Sequence, residues 1–280
     1  MTTARGRTTP AMSPLMIRIL SGAVFIAIVL VALYAGTYGV YALALVLAGV
    51  ALWEFRGLSD GMGSRAPTWL LFPLGAFFVL SGTLLKRVDV ALVLSIALVA
   101  GLGTFLVVPG RRQGLGRWAM GLAGALYIGM PFNYYLLLYT SKPHGLVWTA
   151  FTIFAVIAAD AAALLVGSRI GRHPFFRNIS PRKTVEGAIA GLVAATIVMV
   201  IGVTFVLGIS LLHAVALGLL VGFSAEMGDL VESQMKRIAE VKDSSNLIPG
   251  HGGLLDRLDS ILFPPILVYF YVTVFGLLAQ

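Results

Sequence analysis

Apolar residues run along this chain in long blocks, and polar residues collect in the short gaps between them. Nine blocks approach the roughly 20 helical residues needed to cross a hydrocarbon layer of about 30 Å. They lie near 17–36, 38–53, 67–85, 88–108, 118–139, 146–167, 187–208, 211–230 and 260–279. The pattern predicts an all-α polytopic membrane protein of about nine transmembrane helices, because a helix satisfies its own backbone polar groups in lipid. The first two blocks meet around Thr37. The first follows Arg5 and Arg7, as the core of a signal peptide would. It is longer than such a core and leads straight into the second block, so it is expected to remain as a membrane helix. Gly129-Met130-Pro131 predicts a kink in the fifth helix, and Pro264-Pro265 predicts one in the ninth. Residues 1–15 are polar and contain two prolines, and they are expected to form a disordered cytoplasmic tail.

Composition agrees with this reading. The 280 residues are 59% hydrophobic and only 11% charged, too little charge to cover a soluble domain of that size. There is no cysteine, which excludes disulfides, thiolate metal sites and cysteine nucleophiles. The formal charge of +8 would suggest nucleic acid in a soluble protein. Here it orients helices and meets anionic lipid, and no nucleic-acid partner is expected. With nine spans and the N-terminus inside, Lys86, Arg87 and Lys142 are the outer basic residues, and the other 17 of 20 lie inside. That bias places segments 168–186 and 231–258 in the cytoplasm.

Acidic residues divide the chain. Only Glu54, Asp60 and Asp89 precede residue 160, whereas nine of the 12 lie between Asp160 and Asp259. Residues 16–145, with spans one to five, are expected to be scaffold. Residues 146–280, with spans six to nine, are expected to carry the chemistry on their two cytoplasmic segments.

The first constellation ends span eight. Glu226, Asp229, Ser233 and Lys236 recur at helical spacing and share a face, and Asp256 and Asp259 stand three apart at the start of span nine. The chain reverses between them, so both sets reach one membrane depth. Gathered carboxylates there suit Mg²⁺, which takes hard oxygen ligands. A salt-bridged helix end, with Lys236 and Arg237 pairing with Asp229 and Glu232, explains the same spacing. The turn Pro249-Gly250-His251-Gly252-Gly253 offers backbone N–H groups to an anion or forms a plain hairpin. It has no Lys-Ser/Thr pair after it and so is not a Walker loop. His251 is either a phosphate contact or a structural interfacial histidine. In the second constellation Asp160 lies among alanines inside span six, where an unpaired carboxylate is expensive. A basic run of Arg169, Arg172, Arg177, Arg182 and Lys183 follows, serving as a positive-inside anchor or a phosphate clamp. Ser180, Thr184 and Glu186 accompany it.

Ser233 to Asp259, read as S-x-x-K-R-x(4)-K-D-x(4)-I-P-G-H-G-G-x-x-D-R-x-D, resembles the signature of the phosphatidate cytidylyltransferases, the CDP-diacylglycerol synthases. Ile179-Ser180-Pro181-Arg182-Lys183-Thr184 with Glu186-Gly187 resembles the family's second motif. The likeness covers the C-terminal half in motifs and the N-terminal half in hydropathy. Leu164 and Val185 stand where the family often has aromatic residues, which bears on packing or nucleotide stacking beside the charged positions.

The resemblance implies a nucleotidyltransferase of phospholipid biosynthesis, in the inner or plasma membrane with its active site facing the cytoplasm. It would join CTP and phosphatidic acid into CDP-diacylglycerol and pyrophosphate, with membrane lipids around it and a homodimer as its suggested assembly. By that analogy Asp229 and Asp256 hold Mg²⁺, with a second cation as a further option. Lys236 and Arg237 join them in catalysis. Ser180, Lys183, Thr184, Lys242, His251 and Arg257 bind substrate phosphates, and Asp160, Glu186, Glu226, Asp243 and Asp259 are auxiliary. The alternatives are a CTP-dependent enzyme acting on a polyprenyl-type lipid and a transporter. Transporters tend to spread charges at mid-membrane through repeated halves, whereas charges here collect towards one face.

Overall fold

A computed structural model describes residues 14–107, 111–250 and 252–279. The chain forms helices α1 (Pro14–Tyr34), α2 (Gly36–Gly61), α3 (Thr68–Leu80), α4 (Val90–Val107), α5 (Arg111–Thr140) and α6 (Gly145–Ile170). A hairpin of β1 (Pro174–Phe176) and β2 (Ser180–Thr184) follows, then α7 (Val185–Val200), α8 (Leu211–Ile238), α9 (Leu255–Leu262) and α10 (Pro264–Val274). Among the described residues six helical stretches are long and apolar enough to cross a membrane: Gly36–Gly61, Gly114–Thr140, Gly145–Ile170, Val185–Val206, Leu211–Ile238 and Leu255–Val274. The all-α polytopic expectation therefore holds. Shorter apolar helices at Ser21–Tyr34, Thr68–Leu80 and Val90–Gly103 occupy the first, third and fourth expected spans.

One feature departs from the sequence reading. The segment 168–186, expected as a basic loop, contains an antiparallel ribbon pairing Pro174 with Thr184 and Phe176 with Ser180. β1 is only Pro-Phe-Phe and β2 reads Ser-Pro-Arg-Lys-Thr, so neither strand shows the apolar–polar alternation that announces one. The two proline sites behave differently from each other. α5 runs unbroken through Pro131, whereas the last span is divided at Phe263 between α9 and α10. Pro264 stands at the first position of α10, where its missing N–H costs nothing.

The helices enclose two cores. One joins α2, α3 and α5 with the start of α9, through Leu52, Phe55, Leu71, Phe78, Ile128 and Leu255. The other joins α6, α7, α8 and α10, through Trp148, Val156, Met199, Leu217 and Val268. Small residues bring α6 and α7 together: a Cβ on Gly187 would stand 2.8 Å from the Ala163 carbonyl, and one on Gly191 would stand 3.1 Å from that of Ala159. Lipid is as apolar as leucine, so close packing of small residues is what holds such helices together. Gly228 does the same for α8 and α9, because a Cβ there would collide with the Asp259 carbonyl.

Gly228→Ala should therefore lower thermal stability in detergent by about 1–3 kcal/mol, the usual cost of overpacking. Gly57→Ala is the control, since a Cβ there meets nothing within 4 Å. It should be neutral or slightly stabilising, because alanine is the better helix former. Melting curves followed by helicity test the pair, and a wild-type curve for Gly228→Ala would refute the close approach.

Candidate active site

The C-terminal turns of α8 supply the first charged groups. Glu226, Asp229 and Ser233 follow the i, i+3, i+4 rows, as do Glu232 and Lys236. The Ser233 hydroxyl donates to Asp229 Oδ1 at 3.1 Å. The hairpin brings Lys183 across α8, with its ammonium 2.7 Å from both Glu226 Oε2 and Asp229 Oδ2. Burial alone would depress the Lys183 ammonium's pKa, but the charges of Asp229 and Glu226 outweigh it and raise it above its ordinary value. Lys183 is thus cationic at neutral pH. Arg237 fixes the hairpin from the other side, donating from Nε to the Ile179 carbonyl at 3.2 Å. At the hairpin's root, Glu186 accepts from the backbone N–H groups of Arg172 and His173, and its Oε1 stands 2.6 Å from His173 Nδ1. The Thr184 hydroxyl caps α7 by accepting from the Gly187 N–H at 3.2 Å.

α9 brings the second set. Lys236 Nζ pairs with Glu232 along α8 and lies 2.7 Å from Asp256 Oδ1. Asp256 Oδ2 accepts from the N–H groups of Ser244 and Gly253 and stands 3.0 Å from the Ser244 hydroxyl. Ser260 reaches across to α6, donating to Asp160 Oδ2 at 2.8 Å, while its own N–H donates to Asp259 Oδ1.

One cavity of about 680 Å³ collects these groups. It is lined by Asp160, Ser180, Lys183, Thr184, Glu226, Asp229, Asp256, Arg257 and Asp259, all singled out from the sequence. Arg182 also lines it, and so does Leu164, the position of the aromatic departure. A second cavity of about 450 Å³ holds Lys242, Asp243, Gly250 and Gly252, and Arg257 lines both. Lys236, Arg237 and Glu186 stand outside the linings, turned to Asp256, the hairpin and the hairpin's root. His251 lies outside the described residues.

Sequence reasoning missed Glu54 of α2, which is 1% exposed. It accepts from the N–H groups of Leu254 and Leu255 at 2.9 and 2.5 Å and from the Ser245 hydroxyl at 2.6 Å. A lone acid late in an apolar block was its only signal.

In type the lining suits Mg²⁺, because five carboxylates offer hard oxygen atoms to one space. Among the described residues no three His, Asp or Glu side chains close on a single metal position. Lys183 and Lys236 instead stand against Asp229 and Asp256.

The cytidylyltransferase family model matches residues 16–275. The chain belongs to that family. Among its relatives is a phosphatidate cytidylyltransferase of Bacillus subtilis, 37% identical over 153 residues, covering 54% of this chain and 57% of the relative. One of Mycobacterium bovis is 32% identical over 206 residues, covering 72% and 66%. Phosphatidate cytidylyltransferase 5, chloroplastic, of Arabidopsis thaliana is 45% identical over 133 residues, covering 47% and 33%. The chain thus spans between a third and two thirds of the length of these relatives.

The Lys183 pairing makes a prediction. Lys183→Gln leaves Glu226 and Asp229, both mostly shielded from solvent, without their shared counter-charge. Stability should fall by about 1–3 kcal/mol, discounted from the cost of a fully buried pair because Lys183 is partly exposed. Arg65→Gln removes an exposed partner of Asp60 at 3.5 Å and should change almost nothing. Equal melting temperatures for both variants would contradict the pairing.

Proposed function

We propose that this family member is a membrane-embedded phosphatidate cytidylyltransferase, joining CTP and phosphatidic acid into CDP-diacylglycerol and pyrophosphate. The observation that carries the reading is the single cavity into which α6, the hairpin, α8 and α9 deliver acidic and basic groups together. The printed names of the relatives point to the same activity.

In this reaction a phosphate oxygen of the lipid attacks the α-phosphorus of CTP. The bond from that phosphorus to the bridging oxygen breaks, and pyrophosphate departs with the electron pair. The lipid phosphate is already ionised near neutral pH, so positioning and charge neutralisation dominate over base catalysis. Arg182, Lys183 and Arg257 face the cavity and supply positive charge to substrate phosphates. Ser180 and Thr184 offer hydroxyls beside them. Asp229 and Asp256 would hold Mg²⁺, which when bound neutralises charge on the reacting phosphates. Lys236, placed between Glu232 and Asp256, holds the Asp256 carboxylate in place more than it meets substrate. Lys242 and Asp243, in the adjoining cavity, are available to the rest of the nucleotide through Arg257.

We further propose nine spans, the three shorter apolar helices completing the six long ones, with the cavity open to the cytoplasm. The 17-to-3 division of basic residues supports this orientation. A cysteine at the exposed Asn246 of this cysteine-free chain should react with an impermeant reagent only after the cytoplasmic face is opened. Reaction in intact cells would overturn the topology.

The activity is tested with radiolabelled CTP, purified protein and either phosphatidate or a polyprenyl phosphate, with and without Mg²⁺. Label should enter phosphatidate-derived lipid and depend on Mg²⁺. Asp229→Asn and Asp256→Asn should each lower turnover at least ~10²-fold while inserting normally. Label entering only the polyprenyl lipid would replace the substrate assignment, and near-wild-type turnover in either variant would remove that residue from the site.

A further inference from the structure

We infer that Glu54, in the scaffold half of the chain, is a positioning residue for the Asp256 carboxylate; this rests on the activity proposed above. α2 carries Glu54 into the interior, where its side chain faces segment 244–255 from nearly 200 positions away. The backbone N–H groups at the start of a helix have no partners within it. Leu254 is the N-cap of α9 and Leu255 its first residue, and the Glu54 carboxylate accepts from both. It thus caps α9 from another helix, with a negative charge at the positive end of the helix dipole.

The same carboxylate is separated from Asp256 by one hydroxyl, that of Ser244. The Ser244 hydroxyl stands 3.3 Å from Glu54 Oε2 and 3.0 Å from Asp256 Oδ2, and its single proton serves one of them at a time. The Ser244 N–H donates to Asp256 Oδ2 at 2.9 Å, and the Gly253 N–H donates to the same oxygen at 2.8 Å. Gly253 is squeezed between the two partners: a Cβ there would collide with the Ser244 hydroxyl and stand 2.8 Å from Glu54 Oε1. Ser244, Ser245, Gly253, Leu254 and Leu255 therefore close around Glu54, and three of the donors that aim Asp256 belong to that closed segment. Its fourth partner, Lys236, comes from α8 and cannot fix the carboxylate's rotation alone.

The experiment has two arms. In the first, Leu254→Cys is placed in the cysteine-free chain, and its modification by a maleimide is timed with and without Glu54→Gln. Leu254 is 6% exposed, so labelling should be slow in the parent and about tenfold or more faster once the lock is opened. The amide keeps the size of the carboxylate but turns an NH₂ towards donors. In the second arm CTP incorporation into phosphatidate is titrated with Mg²⁺. Glu54→Gln should lower turnover about ten- to a hundredfold and raise the half-saturating Mg²⁺ about tenfold, the scale of a lost charge-assisted contact. Loss of folded protein alone lowers turnover without moving that midpoint. Glu54→Asp keeps the charge and should recover part of both losses, while Asp60→Asn, in the exposed pair with Arg65, should match wild type.

Faster labelling with wild-type turnover and midpoint would reduce Glu54 to a structural cap and overturn the positioning role. Lost turnover with unchanged labelling would overturn the lock. A wild-type enzyme that makes no CDP-diacylglycerol would sink the proposed activity instead, and the labelling arm would then decide the lock by itself.

Discussion

Two lysine ammonium groups each stand between two carboxylates: Lys183 between Glu226 and Asp229, and Lys236 between Glu232 and Asp256. Charge withdrawn from water is tolerated only when it is paired or hydrogen-bonded. Half the acidic residues of this chain are gathered at one end of a helix bundle set in lipid, so their compensation governs what the surrounding elements must do. α8 supplies three acids, Glu226, Asp229 and Glu232, and Lys236 on adjoining faces. The hairpin exists between α6 and α7 to deliver Lys183, and its own fixation by Arg237 and Glu186 follows from that task. The last span breaks at Phe263 into a short polar helix and a longer apolar one, which lets Asp256 and Asp259 sit beside α8 while α10 continues through the apolar core.

The glycine turn takes a different meaning in this frame. The sequence suggested backbone N–H groups offered to an anion. The structure gives anions to the N–H groups of this segment from within the protein: Asp256 takes that of Gly253, and Glu54 takes those of Leu254 and Leu255. Gly252 lies at φ +83, a conformation that side chains with a Cβ resist, and this carries the chain back towards α9. The turn therefore spends part of its hydrogen-bonding capacity on organising carboxylates. The portion around Gly250 and Gly252 lines the second cavity beside Lys242 and Arg257.

Much of this arrangement was legible in the sequence because it follows helical periodicity. Glu226, Asp229 and Ser233 read correctly as one face of a helix end, and Asp160, Lys183 and Asp259 stood out because charge is conspicuous in an apolar chain. What escaped notice depends on contacts between distant segments. Glu54 lies among tryptophan, phenylalanine and leucine in the helix assigned to scaffold, and its partners are nearly 200 residues further on. The hairpin escaped because its strands are short, Pro-Phe-Phe and Ser-Pro-Arg-Lys-Thr, and neither alternates apolar with polar residues. Lys236 was read as a catalytic group or, with Arg237, as a partner of Asp229 and Glu232; its ammonium turns to Glu232 one helical turn back and to Asp256 on α9. The spacing gave the first pairing; no local rule could give the second.

The charge balance of the two cavities bears on how a nucleotide would be received. Five carboxylates and three basic side chains line the larger cavity, a formal balance of 3 − 5 = −2. Among the described residues the smaller one has Lys242 and Arg257 against Asp243, a balance of 2 − 1 = +1. A triphosphate brought alone to the acidic lining would meet like charge, an interaction that costs more as the site loses water. Two routes relieve it. On the proposed activity the nucleotide would arrive with a divalent cation that the carboxylates share, or its phosphates would bear on Lys242 and Arg257 from the smaller cavity. The position of Arg257 in both linings joins the routes: one guanidinium faces the basic turn and the acidic pocket together. The proposed reaction, which would bring a polyphosphate and an anionic lipid to the same point, is served by such a graded boundary, because a wholly basic pocket would hold the departing pyrophosphate, and a wholly acidic one would repel both substrates.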